Sequence, residues 1–233
     1  MSVTDTQNAY DFDADVLRDK YRAERDKRVR DDGNDQYLEV KGDFSHYVDD
    51  PYVEQGFDRD ALTEELEVLV IGGGFGGMLA AARLIEQGIT DIKIIEKGGG
   101  FGGTWYWNRY PGASCDIESY VYLPMLEETG FVPRQKYTDA PETLAYCQVL
   151  AEKFGLNDLA LMQTEVVSTA WDETTRRWTV TTNRQDNLKA RYVVHSNGPL
   201  NRPKLPAIKG IGDYKGHTFH TSRWDYDYTG GNS

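Results

Sequence analysis

The chain has 233 residues, of which 39% are hydrophobic and 27% charged, and a formal net charge of -12. That suits one large or two small globular domains. The acidic balance argues against nucleic acid or an anionic membrane as partner, because both would be repelled.

Residues 1–65 are polar and charge-dense. Within them Ala14–Arg30 is rich in helix formers with alternating charges, which predicts an exposed helix ended by Asp31-Asp32-Gly33-Asn34. The remainder, through Pro51 and Gly56, is expected to be an extended arm. From Glu67 the pattern becomes α/β. Val68–Ile71 is a continuous apolar run, as in a strand buried on both faces. Gly72–Gly77 is a turn, Met78–Ile85 a helix stopped near Gly88, and Ile92–Glu96 a second strand. This is a βαβ unit, expected to be parallel and right-handed. Further on, Pro141–Phe154 reads as a helix. Val166–Trp171, Trp178–Thr182 and Leu188–Val194 read as strands, with polar turns at Asp172–Arg177 and Asn183–Asn187. The last strand, ending at Ser196-Asn197-Gly198-Pro199, can return to the parallel sheet.

The expected fold is therefore α/β. A Rossmann-like parallel sheet carries an inserted small antiparallel β-meander, preceded by a partly helical N-terminal extension. Expected boundaries are 1–65 for the extension, 66–212 for the nucleotide-binding domain and 213–233 for a linker. Cys115 and Cys147 lie far apart, which implies no disulfide framework and suits a reducing compartment. No basic region is followed by an apolar stretch at the N-terminus, so no signal peptide and a cytoplasmic location are expected. The longest apolar run, Leu66–Ile85, contains Glu67, Arg83 and several glycines, and so is not a membrane span.

The string G-G-G-F-G-G at 72–77 fits G-x-G-x-x-G through Gly72, Gly74 and Gly77. A buried strand precedes it, a helix follows it, and an acid closes the next strand. Gly72 permits the tight turn, Gly74 lets backbone approach a pyrophosphate, and Gly77 lets helix and strand pack closely. Glu96, 19 residues beyond Gly77, can accept both ribose hydroxyls and would repel a 2′-phosphate. The site thus suits FAD or NAD and not NADP. The plainer alternative is a glycine-rich turn without a ligand. The same six letters recur at 98–103, but Thr104-Trp105-Tyr106-Trp107-Asn108 follows instead of an apolar helix. This is a loop needing close backbone approach to an elongated cofactor, not a second Rossmann motif.

The segment Gly102–Ser119, G-G-T-W-Y-W-N-R-Y-P-G-A-S-C-D-I-E-S, resembles the stretch after the first βαβ unit in Baeyer–Villiger monooxygenases. Tyr214–Asp225 resembles that family's fingerprint F-x-G-x-x-x-H-x-x-x-W-[PD] at Gly216, His220, Trp224 and Asp225, with Tyr214 replacing the phenylalanine. The resemblance runs from Glu67 to the C-terminus. The N-terminal arm is similar to that of the branch acting on bulky or polycyclic ketones.

The resemblance implies an enzyme that holds FAD, takes a hydride from NADPH, adds O2 at flavin C4a and converts a ketone to an ester or lactone. It implies that Gly76, Glu96, Gly103, Thr104, Trp105, Tyr106, Trp107, Asp116 and Tyr122 contact FAD, with Val166 at the adenine. Ser114, Cys115 and Asp116 match positions near the nicotinamide. Asp116 is the candidate catalytic residue, because its family counterpart pairs with an arginine that this chain does not contain. Its plainer role is N-cap of a helix beginning near Ile117. His220 matches a linker histidine with a conformational role, and His195 reads as a packed core histidine. The four histidines have no ligand spacing, so no metal is expected.

Three other readings compete. Disulfide reductases share the first βαβ unit but need two nearby cysteines, and here Trp105 stands near the place of the first. Flavin-containing and N-hydroxylating monooxygenases have similar folds and cofactors, but the Trp-Tyr-Trp-Asn-Arg-Tyr-Pro run favours the Baeyer–Villiger group. A non-catalytic flavin-binding fragment is the third, since no second G-x-G-x-x-G unit follows Trp224. On that reading the chain is a truncated product, part of a longer protein, or one piece of a divided enzyme with a complementary C-terminal chain as partner.

Overall fold

The computed structural model describes residues 12–232. The first part of the polar extension, residues 1–11, and Ser233 lie outside the described residues. In chain order the elements are α1 (Ala14–Asp26), β1 (Tyr37–Glu39), β2 (Thr63–Ile71), α2 (Phe75–Glu86), β3 (Ile92–Ile95) and α3 (Thr104–Trp107). They continue with α4 (Ser119–Tyr122), α5 (Leu126–Thr129), α6 (Ala140–Lys153), β4 (Ala160–Leu161), β5 (Val166–Asp172), β6 (Arg177–Thr182), β7 (Asn187–His195), β8 (Lys204–Pro206) and α7 (Tyr226–Thr229). The chain divides into two compact units. One takes the chain up to Glu39 with Lys204–Tyr214, the other Val40–Pro203 with Lys215–Ser233.

In the smaller unit, α1 starts where the Asp13 carboxylate accepts hydrogen bonds from the amides of Asp15 (2.8 Å) and Val16 (3.2 Å). None of its residues is buried. Its surface is laced with exposed pairs such as Arg18–Asp15 and Arg22–Asp19, each worth a few tenths of a kcal/mol. The helix ends at Asp26, short of the Arg30 expected, because the Arg28 amide turns to the Arg25 carbonyl at 2.8 Å and tightens the last turn. β1 pairs antiparallel with β8, Leu38 opposite Leu205. Neither strand was legible in the sequence, since three polar-flanked residues carry no periodicity.

The larger unit holds a six-stranded sheet in the order β4-β3-β2-β7-β6-β5. β2 runs parallel to β3 (Val70 beside Ile94) and to β7 (Ile71 beside His195), and β3 runs parallel to β4. β7 also pairs antiparallel with β6, and β6 with β5. One strand therefore serves both the parallel sheet and the meander, as the sequence pattern foresaw. β2 begins five residues earlier than its apolar run, because Thr63–Leu66 pair with Asn187–Ala190. Its polar start is held by Lys93–Glu64 and Arg177–Glu65 ion pairs, each 3.0 Å.

Two buried clusters carry the sheet. The larger joins Val68, Val70, Ile92 and Ile94 to Met78, Ala81 and Ala82 of α2 and to Tyr146, Cys147 and Leu150 of α6. The smaller joins Leu66, Leu69 and Ile95 to Val180, Leu188 and Ala190. α6 opens on Asp139, whose carboxylate accepts the Glu142 amide at 2.9 Å, with Pro141 in its first turn. Residues 42–56, expected to be extended, form a 3₁₀ segment at Gly42–Val48 followed by turns. Among the described residues no helix is long and apolar enough to cross a membrane.

Candidate functional site

A cleft of about 520 Å³ opens at the carboxyl ends of β2, β3 and β7, the place where open α/β sheets take their ligands. The loops after these strands are tied edge to edge. The Gly72 amide donates to the Ile95 carbonyl and the Ser196 amide to the Ile71 carbonyl, both at 2.8 Å. The floor is the start of α2, with Gly72, Gly74, Phe75 and Gly76 lining the cleft. No side chain caps that helix end, so its first-turn amides keep their hydrogen-bonding capacity toward the cleft.

Glu96 also lines the cleft and is only 5% exposed. One carboxylate oxygen accepts the Gly73 amide at 2.5 Å and the other the Gly98 amide at 2.6 Å. Burial raises its pKa, and these two amide bonds pull the other way. Each oxygen has a second lone pair, so a pair of ribose hydroxyls can still be accepted. The opposite wall is aromatic. Trp105 and Trp107 line the cleft and are both buried, so each serves as core and as wall. The Trp105 indole N–H donates to the Tyr122 hydroxyl at 2.9 Å, and Phe75 meets Tyr122 edge-on at 5.8 Å. Burial raises the Tyr122 pKa, which keeps it neutral.

The expected residues Gly72, Gly74, Gly76, Glu96, Gly103, Thr104, Trp105, Trp107, Tyr122 and Val166 all line this cleft. Gly77 lies in α2 beneath it, against the Gly72 carbonyl. Tyr106 turns away. Its hydroxyl donates to Asp50 at 2.7 Å and accepts the Gly99 amide at 2.8 Å; burial and the Asp50 bond push its pKa well above the ordinary tyrosine range. Tyr106 and Ser114 line a second cavity of about 650 Å³ with Arg109, Asp139 and Leu144. Cys115 is buried against Trp105, Ala113 and Ala140. Asp116 is exposed and outside both linings.

Several expectations are corrected. Asp116 caps nothing: α4 begins two residues later than expected, with Glu118 at its cap position. His195 is exposed at the end of β7 and lines the cleft, because the strand's last residue has passed beyond the covering helices. The 98–103 loop, whose Gly102 and Gly103 line the cleft, also approaches protein closely. A β-carbon on Gly103, where φ is +54°, would lie 2.7 Å from the Gly74 Cα, and one on Gly98 2.7 Å from the Tyr106 ring. The two glycine strings pack on each other, and Gly103 opens α3 toward the cleft.

The lining residues not foreseen are chiefly Ser196, Asn197, Gly198, Leu200 and Asn201. The signal for them was the last strand's return beside β2, since its carboxyl end must then open on the same cleft as Gly72. Asn201 donates to the Asn197 carbonyl at 2.8 Å and folds this loop on itself. In the fingerprint segment His220 accepts the Ser222 amide at 3.1 Å, and Asp225 accepts the Tyr228 amide at 2.9 Å. These residues shape turns outside the cleft lining.

Comparison with known proteins places this geometry. The family model described as pyridine nucleotide-disulphide oxidoreductase matches residues 69–231. A Baeyer–Villiger monooxygenase of Streptomyces coelicolor is 52% identical over 215 residues, 92% of this chain and 36% of that protein. Neopentalenolactone D synthase of Streptomyces avermitilis is 50% identical over 94% of this chain and 37% of its own length. Among solved structures, the polycyclic ketone monooxygenase of Thermothelomyces thermophila aligns with a TM-score of 0.82 and 38% identity, covering 94% of this chain and 38% of that one. The chain thus spans about a third of the length of the relatives it matches. It belongs to the pyridine nucleotide-disulphide oxidoreductase family and, within it, is similar over most of its own length to Baeyer–Villiger monooxygenases.

Proposed function

We propose that this chain is the FAD-holding portion of an NADPH- and O2-dependent monooxygenase that converts ketones to esters or lactones. The observation that carries it is the cleft itself, where an uncapped helix start, the buried Glu96 and the Trp105–Trp107 wall line one volume. Those groups fit the diphosphate, the ribose and the flat ring of a flavin dinucleotide in turn. The adenine is assigned to the side of Val166. Bound FAD would supply hydride acceptance and oxygen activation.

The chain's own residues bind and orient. The first-turn amides of α2 meet negative charge, Glu96 accepts hydroxyls, and the aromatic wall excludes water. Asp116 is assigned to the chemistry, and Ser114, Cys115 and Asp116 to the nicotinamide side. Its exposure leaves it open to a basic partner from outside the described residues. We further assign 1–65, 66–212 and 213–233 to extension, FAD domain and linker, and place the protein in the cytoplasm.

A second reading concerns the 233-residue chain on its own, which spans about a third of its relatives' length: it holds flavin without turnover. The test uses the 233-residue chain and a chimera joining it to the remainder of the Streptomyces coelicolor relative. The chain is expected to retain FAD and to form no lactone from a cyclic ketone with NADPH. The chimera is expected to form it. A chimera that binds FAD yet yields no oxygenated product would sink the oxygenase reading, and lactone from the chain alone would sink the second reading.

A further inference from the structure

Arg223 lies in the fingerprint segment and is only 5% exposed. A guanidinium so placed needs its donors met. Its Nε donates to the Asp49 carbonyl at 3.0 Å, Nη1 to the Ser222 carbonyl at 2.8 Å, and Nη2 to the Asn201 carbonyl at 3.2 Å. The guanidinium carbon sits 3.8 Å from the centroid of the Trp107 indole. Burial lowers the arginine's pKa to about 10, with Asp50 acting against it, so it is cationic at neutral pH. A cation stacked on indole away from water is among the stronger contacts of its kind.

Two of these partners line the cleft: Trp107 and Asn201. They lie far apart in sequence and belong to different walls. A second, weaker tie joins the same walls, from the Asn108 side-chain amide to the Leu200 carbonyl at 3.3 Å. We propose that Arg223 is a positioning residue for the cleft: stacked on Trp107 and bonded to Asn201, it sets the indole wall against the 197–201 loop. The width of the cleft at that end then depends on a side chain from the fingerprint segment. This rests on the reading of the cleft as the FAD site. Lysine cannot replace it, since a point charge neither stacks as a plane nor reaches separate carbonyls with a rigid fork.

The test compares the 233-residue chain with Arg223→Lys and Arg223→Met, using hydrogen exchange without cofactor and FAD titration by flavin fluorescence. Expected is exchange about 10-fold faster at 104–108 and 197–201, with β2 and α2 unchanged, and FAD bound about 10-fold more weakly with a changed visible circular dichroism band. Unchanged exchange in both loops overturns the proposal, as does locally faster exchange with unaltered FAD affinity. A rise spread over β2 and α2, or loss of folding in both variants, makes Arg223 a general stabiliser and overturns it too. Failure of the unsubstituted chain to bind FAD would instead strike the assignment of the cleft, while the exchange measurement still decides whether Arg223 sets the walls.

Discussion

Gly77 packs so closely on Gly72 that a β-carbon at Gly77 would lie 1.8 Å from the Gly72 carbonyl oxygen. The contact lets α2 approach β2 and aims its first turn at the cleft. Since the atom it would meet is backbone, no rotamer change can relieve the clash of an added methyl group. Gly77→Ala is expected to cost about 1–3 kcal/mol and to lower the melting temperature by several degrees, on the order of 2–4 °C per kcal/mol. Calorimetry with and without FAD measures it. A Gly77→Ala chain of unaltered stability would mean the turn is looser than described.

Glu96 joins the two glycine loops and faces the cleft. Glu96→Gln keeps the shape but offers one acceptor oxygen where there were two, so the Gly73 or the Gly98 amide loses its partner. FAD affinity is expected to fall about 10-fold. Glu96→Arg buries an unpaired cation and is expected to abolish yellow flavin retention. Equal retention by all three proteins would remove Glu96 from the binding site.

Asp186 holds the entry to β2. Its carboxylate takes both Arg59 Nη atoms at 2.7 and 2.6 Å, the Leu62 amide at 2.8 Å and the Thr182 hydroxyl at 2.6 Å. Burial alone would raise its pKa, but these donors, Arg59 first, bring it down to about 2. A depressed carboxylate stabilises the fold above its unfolded pKa and ceases to do so as pH falls through the folded one. The chain is therefore expected to lose about 2 kcal/mol between roughly pH 4 and pH 2 from this group. Asp186→Asn should remove that acid limb and lower stability at pH 7 by a similar amount. Urea titrations at both pH values decide it, and an undiminished acid limb in the variant would assign it elsewhere.

Cys147 is fully buried in the main core, and burial pushes its thiol up to about 12. Such a thiol is almost never a thiolate near neutral pH, so it cannot serve in the thiol exchange that the family's broad name suggests. A thiol reagent at pH 8 is expected to label Cys147 only at the rate of unfolding, followed by peptide mass mapping. Fast labelling in the native chain would contradict the packing of α6.

Asp116 is exposed and outside the cleft lining. Asp116→Ala is expected to leave the melting temperature unchanged and FAD affinity within about twofold, as for an ordinary surface change. It should nonetheless suppress ester formation in the chimera. A matching loss of FAD binding would make Asp116 part of the holding machinery instead.

The sequence by itself determined the features whose cause is local. Val68–Ile71, the glycines at 72, 74 and 77 and the acid at 96 specify strand, turn, helix and a carboxylate at the end of the next strand within one stretch of about thirty residues, the length of a βαβ unit. Tertiary structure alone decided what depends on distant pairing. β7 lies beside β2, and only that register brings His195 and the 197–201 loop to the cleft. Asp50 draws Tyr106 out of the wall that its neighbours form, and Arg223 reaches Trp107 across more than a hundred residues. Periodicity reports which face of an element is buried, but not which remote side chain will meet it there. That is settled only when the sheet order has closed.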